Sequence, residues 1–206
     1  MGLTSWREQR LICNFPLQIV NNIQNFPKGL PTAVTVGIFD GVHRAHQAML
    51  QELKRKAKEL SAVSVVVTFD KHPCEVIAPE RYGNEVFLLT TLDEKIALFR
   101  EIGIDYLVIL PFTKEFATLS YTEFIEDTIV KYIQPKLFLV GFNHSFGKSR
   151  EGNFEKLQKL SEKHDFQAEV FPEQHFDDGQ KISSSEIRRL LRAGEIDKAQ
   201  KMLFSM

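Results

Sequence analysis

Two histidines three positions apart follow a short glycine-containing turn, and residues of these types at this spacing can bind a phosphate. Residues 37–46 read GIFDGVHRAH, and Gly37 and Gly41 permit a tight turn that brings backbone close to a ligand. A helix beginning after this turn offers free N–H groups and its positive dipole end to an anion. His43 and His46 then share one helix face, where both imidazoles can donate to the same phosphate. The spacing alone also fits two ordinary histidines beside a loop, and it completes no usual zinc site.

A second candidate anion site is a serine run near the end of the chain. Ser183, Ser184 and Ser185 can cap a helix, and a capped helix N-terminus is itself an anion site. Arg188 follows on the same stretch and carries a fixed positive charge. A plain N-cap explains the serines equally well, so the pattern alone leaves both interpretations open.

These candidate residues must be positioned by alternating strands and helices. Short apolar or β-branched runs predict five strands, at residues 32–39, 62–69, 106–110, 137–140 and 168–171. Helical periodicity predicts helices at residues 47–60, 93–101, 123–132, 153–164 and 184–203. This alternation predicts an α/β fold, a doubly wound (Rossmann-like) parallel sheet flanked by helices. Such sheets bind ligands beyond the carboxyl ends of their strands, which is where the candidate residues lie.

The composition is that of an ordinary globular protein, with 206 residues, 43% hydrophobic and 26% charged. We therefore expect residues 1–206 to form a single domain, with residues 1–30 as an N-terminal extension packed on it or partly flexible. The 26 basic and 27 acidic residues nearly cancel, so no overall charge attracts nucleic acid or a membrane. The charged N-terminus lacks an apolar core, and Cys13 and Cys74 are too few for a disulfide framework. We expect a cytoplasmic protein, and the sequence indicates no oligomeric state.

The turn and its histidines resemble the G-x-F-D-G-x-H-x-G-H signature of the nucleotidyltransferases related to class I aminoacyl-tRNA synthetases. Four further segments resemble prokaryotic FAD synthetases in the same order, so that the similarity covers about residues 32–203. They are TFDKHP at 68–73 for T-F-x-P-H-P, LTTLDEK at 89–95 for L-T-x-x-x-E-K, VGFNHSFG at 140–147 for V-G-x-D-F-x-F-G, and ISSSEIR at 182–188 for I-S-S-T-x-I-R.

The resemblance implies an FMN adenylyltransferase of the nucleotidyltransferase type, which transfers AMP from ATP to FMN and releases FAD and pyrophosphate. It implies Mg2+ as a companion of ATP and no dedicated metal-ligand cluster. It assigns catalytic roles to His43, His46, Ser184 and Arg188. It implies ATP binding by Gly37, Phe39, Asp40, Gly41, His43, His46, Asn143, Ser183, Ser184, Ser185 and Arg188. It implies flavin binding by Phe69, His72, Pro73, Asn143, Phe146 and Gly147.

Several positions depart from the family pattern and keep alternatives open. They are Ala45 for glycine, Lys71 for proline, Asn143 for aspartate, and His144 and Ser145 beyond it. Ala45, His144 and Ser145 motivate the alternative of a catalytically weak flavin- or nucleotide-binding homologue. Another phosphorylated acceptor is a further alternative, because related nucleotidyltransferases share the H-x-G-H and serine-arginine segments, although the segments at 68–73 and 140–147 argue against it. Phe69, His72 and Pro73 also fit a capped strand end with a buried aromatic ring. FAD synthetases usually continue into a riboflavin kinase domain, so we expect either a monofunctional enzyme or an expressed fragment.

Overall fold

The computed structural model describes residues 16–79, 87–176 and 179–204. Its strands are β1 (Gln18–Val20), β2 (Thr32–Val36), β3 (Val63–Phe69), β4 (Tyr106–Leu110), β5 (Pro135–Gly141) and β6 (Gln167–Phe171). They form one six-stranded sheet in the order β1-β4-β3-β2-β5-β6. Every neighbouring pair runs parallel. The predicted α/β fold with a parallel, Rossmann-like sheet is confirmed.

The strand β1 was missed by the sequence prediction, which gave five strands. It has three residues, too few for a recognisable periodic pattern. It pairs with β4 through Gln18 opposite Tyr106, and Leu17 and Phe26 beside it are buried. Residues 16–30 of the expected N-terminal extension therefore pack on the sheet. The expectations for residues 1–15, including Cys13, lie outside the described residues.

The helices are α1 (Arg44–Glu59), α2 (Pro73–Ile77), α3 (Leu92–Ile102), α4 (residues 121–133), α5 (Phe154–His164), α6 (Ser184–Arg192) and α7 (Ile196–Leu203). The middle of α4, Phe124–Val130, is π-helical. Short 3-10 turns lie at Ile23–Asn25, Asp40–Val42, Phe116–Thr118 and Lys148–Arg150. The helical region predicted over residues 184–203 consists of two helices, α6 and α7. Gly194 at φ +76° follows the end of α6, because glycine adopts the left-handed conformation that stops a helix.

The sheet is buried on both faces, as expected of parallel strands with helices on either side. Every residue of β2 and β3 is buried. One face packs Val34 and Val65 against α4 and α5. The opposite face packs Ala33 and Val66 against α1 and α3. A third cluster, built around Ile187, joins α6 to α7 and so fixes the start of α6.

The strand order reverses between β2 and β5. From β2 the chain runs outward through β3 and β4, and it then returns to β5 on the other side of β2. Val36 ends β2 and Gly141 ends β5, so these two carboxyl ends are neighbours. A parallel sheet opens a crevice at such a reversal, and this is where its ligands bind.

Candidate active site

A cleft of about 810 Å³ opens at this reversal. Its walls come from the loop after β2, the segments after β5 and β6, and the start of α6. The structure thus brings together segments that are far apart in the sequence. The predicted site residues that line the cleft are Gly37, Phe39, Asp40, His43, His46, His72, Asn143, Ser183, Ser184, Ser185 and Arg188.

The loop after β2 has an uncommon backbone conformation. Phe39, Gly41 and Val42 have φ values of +52°, +82° and +37°. Such a conformation is costly outside glycine and persists where the surroundings enforce it. Here the buried Phe39 ring packs edge-on against His46 and Phe99, with centroids 5.1 and 5.6 Å away. Packing therefore holds the loop in one shape at the start of α1.

Asp40 is the centre of a hydrogen-bond network at the base of this loop. Its Oδ1 accepts the backbone N–H groups of Leu89 and Thr90 at 2.9 and 3.2 Å. Its Oδ2 forms an ion pair with Arg188. Its backbone carbonyl accepts the hydroxyl of Ser184 at 2.8 Å. The network ties the loop to the segment before α3 and to the first turn of α6.

Two of the predicted catalytic residues are therefore bonded to protein groups in this structure. Arg188 also donates its Nε–H to the carbonyl of Phe87 at 2.8 Å, and its side chain is 17% exposed. The Ser184 hydroxyl donates its hydrogen bond to the Asp40 carbonyl. Ser183 caps α6, because its hydroxyl oxygen accepts the Glu186 N–H. A phosphate that binds Arg188 either replaces Asp40 as its partner or uses the other N–H donors of the guanidinium group.

His43 and His46 lie face to face, with ring centroids 3.7 Å apart and planes 14° from parallel. His43 caps α1, because its Nδ1 accepts the N–H of His46 at 3.4 Å. Burial lowers the pKa of His43 to about 4. Burial, followed by the charge of His43, lowers the pKa of His46 well below its ordinary value. Both rings are thus neutral at neutral pH, and Nδ1 of His46 is buried with no hydrogen-bond partner among the described residues.

The opposite side of the cleft is formed by residues after β5 and β6. Asn143 donates its Nδ2–H to the Glu173 carboxylate at 3.0 Å, and Glu173 also pairs with Lys181. Hydrogen bonding from Lys181 lowers the pKa of Glu173. Burial, and next the nearby charge of Arg150, lowers the pKa of His144 to about 4.

Three aromatic or glycine residues predicted for the flavin site lie behind the cleft lining. The buried Phe69 ring meets Phe112 edge-on at 5.3 Å. Phe146 is buried and stacks with His144 at 5.6 Å. Gly147 has φ +75°, and a Cβ there would come within 2.5 Å of the Tyr121 backbone nitrogen. These positions are explained by packing and close backbone approach, and their part in flavin binding stays a prediction.

Two other predicted residues also lie outside the lining. Gly41 turns its N–H toward Thr90 Oγ1 at 2.9 Å, where it serves the loop conformation. Pro73 begins α2, whose N-cap is His72 in a capping box with Glu75. The side chain of His72 itself faces the cleft, and burial lowers its pKa.

Sequence reasoning missed several residues that line the cleft, among them Phe142, Arg150, Lys181 and Arg192. Arg192 could have been found, because it lies four residues beyond Arg188 on the same helix and shares its face. Phe142, Arg150 and Lys181 carried no pattern of their own. Arg150, Lys181 and Arg192 add positive charge to the cleft lining, with Lys181 paired to Glu173, and positive charge in a cleft favours a polyphosphate.

In residues 16–79, 87–176 and 179–204, no three His, Cys, Asp or Glu side chains lie close enough together to hold a metal ion. The helices of this described part are also too short or too polar to span a membrane.

Comparison with known proteins gives consistent relatives. The bifunctional riboflavin kinase/FMN adenylyltransferase of Escherichia coli (strain K12) is 33% identical over 185 residues, which are 89% of this chain and 57% of that protein. The Listeria monocytogenes serovar 1/2a protein of the same name is 32% identical over 170 residues, 82% of this chain and 52% of that one. The chain thus spans little more than half the length of these curated relatives.

A solved structure and a family model agree with this picture. A crystal structure described as a macrolide-efflux protein from Streptococcus pneumoniae has a TM-score of 0.78 and 28% identity, and covers 92% of this chain and 60% of that chain. The model of the FAD synthetase family matches residues 27–186, which is well over half of the chain and includes most of the cleft lining. The chain belongs to the FAD synthetase family.

Proposed function

We propose that this protein transfers AMP from ATP to the phosphate of FMN, giving FAD and pyrophosphate. The observation that carries the proposal is the cleft at the strand-order reversal, where the His43–His46 pair, Asn143 and the start of α6 converge. Membership of the FAD synthetase family supports it. The E. coli relative carries FMN adenylyltransferase in its name.

The reaction asks the protein mainly to align two anions. An oxygen of the FMN phosphate forms a bond to the α-phosphorus of ATP, while the bond from that phosphorus to the bridging oxygen breaks and pyrophosphate leaves. The FMN phosphate is already an adequate nucleophile, so no covalent enzyme intermediate is needed. Alignment in line and neutralisation of the departing charge supply the rate enhancement.

In the proposed site, the ATP phosphates lie at the first turn of α1. Neutral His43 and His46 donate hydrogen bonds there, together with backbone N–H groups at the helix start. Gly37, Phe39, Asp40 and Gly41 shape this loop around the nucleotide. Ser183, Ser184, Ser185 and Asn143 complete the predicted ATP contacts. Arg188 exchanges Asp40 for the pyrophosphate, assisted by the other cations of the cleft.

We propose Mg2+ as a part of the ATP complex. Among the described residues, no three His, Cys, Asp or Glu side chains form a cluster that could hold a metal ion, and we propose that the substrate phosphates hold Mg2+ instead. Mg2+ commonly keeps several waters and binds through substrate phosphates. Bound in this way, Mg2+ would neutralise part of the phosphate charge that His43, His46 and Arg188 are proposed to contact.

The flavin is proposed to occupy the part of the cleft between His72 and Asn143. Both side chains line the cleft. Phe69, Pro73, Phe146 and Gly147 would act on the flavin by supporting this part of the wall from behind. We further propose that residues 1–206 act as one domain in the cytoplasm, without nucleic-acid or membrane partners.

The test is incubation of the protein with Mg2+, ATP and FMN, followed by chromatography for FAD and an assay for pyrophosphate. We expect both products in equal amounts. Absence of both, under conditions where the E. coli relative is active, rules the proposal out. Pyrophosphate release with another phosphorylated acceptor and none with FMN would reassign the acceptor.

A second candidate is a nucleotide or flavin binder with weak or no turnover. It is favoured by the ion pair that occupies Arg188 and by Ala45, whose methyl group stands in the cleft lining. Calorimetry would then show ATP or FMN binding without product formation. Turnover that disappears on His46→Ala excludes this candidate.

A further inference from the structure

Lys95 on α3 is a buried lysine outside the cleft lining. Its residue is 8% exposed, and it sits one turn before the fully buried Phe99. Placing an ammonium group in such surroundings is costly. An apolar side chain would fill the position without that cost, so the lysine calls for a reason beyond packing.

The ammonium group of Lys95 reaches the phosphate-binding loop from beneath. It donates a hydrogen bond to the backbone carbonyl of Ile38 at 3.3 Å. Thr68 donates its hydroxyl to the same carbonyl, also at 3.3 Å. Ile38 directly precedes Phe39, the first residue of the loop with positive φ. Lys95 therefore acts at the point where the chain leaves β2 and enters its strained conformation.

Lys95 also contributes charge to the Asp40 network. Burial lowers its pKa, whereas the negative charges of Asp40, Glu75 and Asp70 oppose the decrease. Asp40 thus lies in the field of Lys95 in addition to its direct pair with Arg188. If Arg188 turned toward a phosphate, the positive charge of Lys95 would still act on the buried Asp40 carboxylate.

We propose that Lys95 is a positioning residue of the ATP site, which fixes the Ile38 carbonyl and balances Asp40 so that Arg188 can exchange partners. The inference rests on the ATP half of the proposed function. Lys95 does not touch the substrate, and it acts through the loop and through Arg188.

Lys54, a partly buried lysine on α1, offers a control because it contacts the other end of α3. Its ammonium group also donates to a backbone carbonyl, that of Ile102, the last residue of α3. Lys95→Met and Lys54→Met therefore each remove one charge and one lysine–carbonyl bond. The bond from Lys95 supports the loop, whereas the bond from Lys54 lies away from the cleft.

The experiment measures Mg-ATP binding by calorimetry for the full chain and both variants, with thermal unfolding beside it. We expect Lys95→Met to weaken ATP binding by about 10-fold or more, since small displacements of binding groups are costly. Lys54→Met should leave ATP affinity within about 2-fold of the parent, because substitutions at sites that share no contacts with the cleft act independently of it. In steady-state kinetics, the KM for ATP should rise in Lys95→Met while the KM for FMN stays unchanged.

Equal ATP affinity of the two methionine variants would overturn the proposal. If Lys95→Met does not fold, Thr68→Val carries the test, because it removes the other donor to Ile38 and keeps the side-chain shape. Weaker ATP binding by Thr68→Val, with an unchanged unfolding temperature, supports the proposal, and unchanged binding overturns it.

If the parent protein binds no ATP, the proposed function fails and this inference falls with it. If the parent binds ATP and Lys95→Met binds it equally well, this inference alone falls.

Discussion

The two sides of the cleft are stabilised by different forces. The loop wall, residues 37–46 and 183–192, is held by the polar network around Asp40, with Arg188 and Ser184 as direct partners. The strand wall, residues 141–152 and 171–174, rests on aromatic packing in which Phe146 contacts Phe124. Most predicted site residues of the loop wall lie in the cleft lining, with Gly41 as an exception, whereas Phe146 and Gly147 of the strand wall lie behind it. The same kind of signature therefore marks mainly cleft-facing groups on one side and includes supporting groups on the other.

The largest effect should come from breaking the loop wall at Asp40. Asp40→Asn keeps the shape but leaves the partly buried Arg188 without its counter-ion, so we expect a loss of about 3 kcal/mol of unfolding free energy. Denaturant unfolding measures it. Glu173→Gln is the matching change in the strand wall. Because the ion pair of Glu173 with Lys181 is solvent-accessible, we expect a small loss of unfolding free energy that decreases at high salt. Similar losses in both variants would contradict the contrast between the walls.

The next largest effect concerns turnover. His46→Ala removes a proposed phosphate donor from the loop wall, and we expect kcat/KM for FAD formation to fall by about 100-fold or more. The fold should survive, because the ring faces the cleft and its Nδ1 has no partner to lose among the described residues. Circular dichroism checks the fold beside the kinetics. A variant that unfolds at ambient temperature would show that His46 is a structural residue.

The strand wall can be tested by comparing two of its phenylalanines. Phe146→Ala removes a buried ring and should cost about 3 kcal/mol of unfolding free energy. Phe142 is 62% exposed in the cleft lining, so Phe142→Ala should change stability by less than about 0.5 kcal/mol. Denaturant midpoints with unchanged slopes would establish the difference. Equal losses would mean that Phe142 packs more closely than its exposure indicates.

These contrasts explain how far the sequence could predict the molecule. Buried runs identified β2 to β6, and the glycines and histidines identified the loop, because each signal is local. The Asp40–Arg188 pair joins residues 148 positions apart, and no local pattern encodes such a contact. Phe146 and Phe142 differ in burial although both follow β5, since only the packing of α4 decides which ring is covered. Sequence could thus predict the cleft and its loop wall, but not which strand-wall residues face the ligand.

A pH dependence of stability should also separate the two walls. The pKa values of His43 in the loop wall and His144 in the strand wall are both lowered to about 4 by burial. Between pH 6.5 and 4 the unfolded chain then binds more protons than the folded one. The free energy of unfolding therefore has its full value above pH 6.5 and falls as the pH decreases from 6.5 to 4. Each of these two histidines should lower the free energy of unfolding by about 2 kcal/mol at pH 5 relative to pH 7.5.

His144→Phe keeps a ring over Phe146 and removes one titrating group, so the acid loss in unfolding free energy should shrink by about 2 kcal/mol. The share of the other histidines with lowered pKa values, His43, His46 and His72, should remain. ATP provides the second comparison. Its phosphates favour the protonated form of His43, so saturating ATP should reduce the acid loss that belongs to the loop wall. It should leave the share of His144 unchanged. If ATP reduces the acid loss equally in the parent and in His144→Phe, the result fits this assignment. If ATP no longer reduces the acid loss in His144→Phe, the nucleotide lies against the strand wall instead.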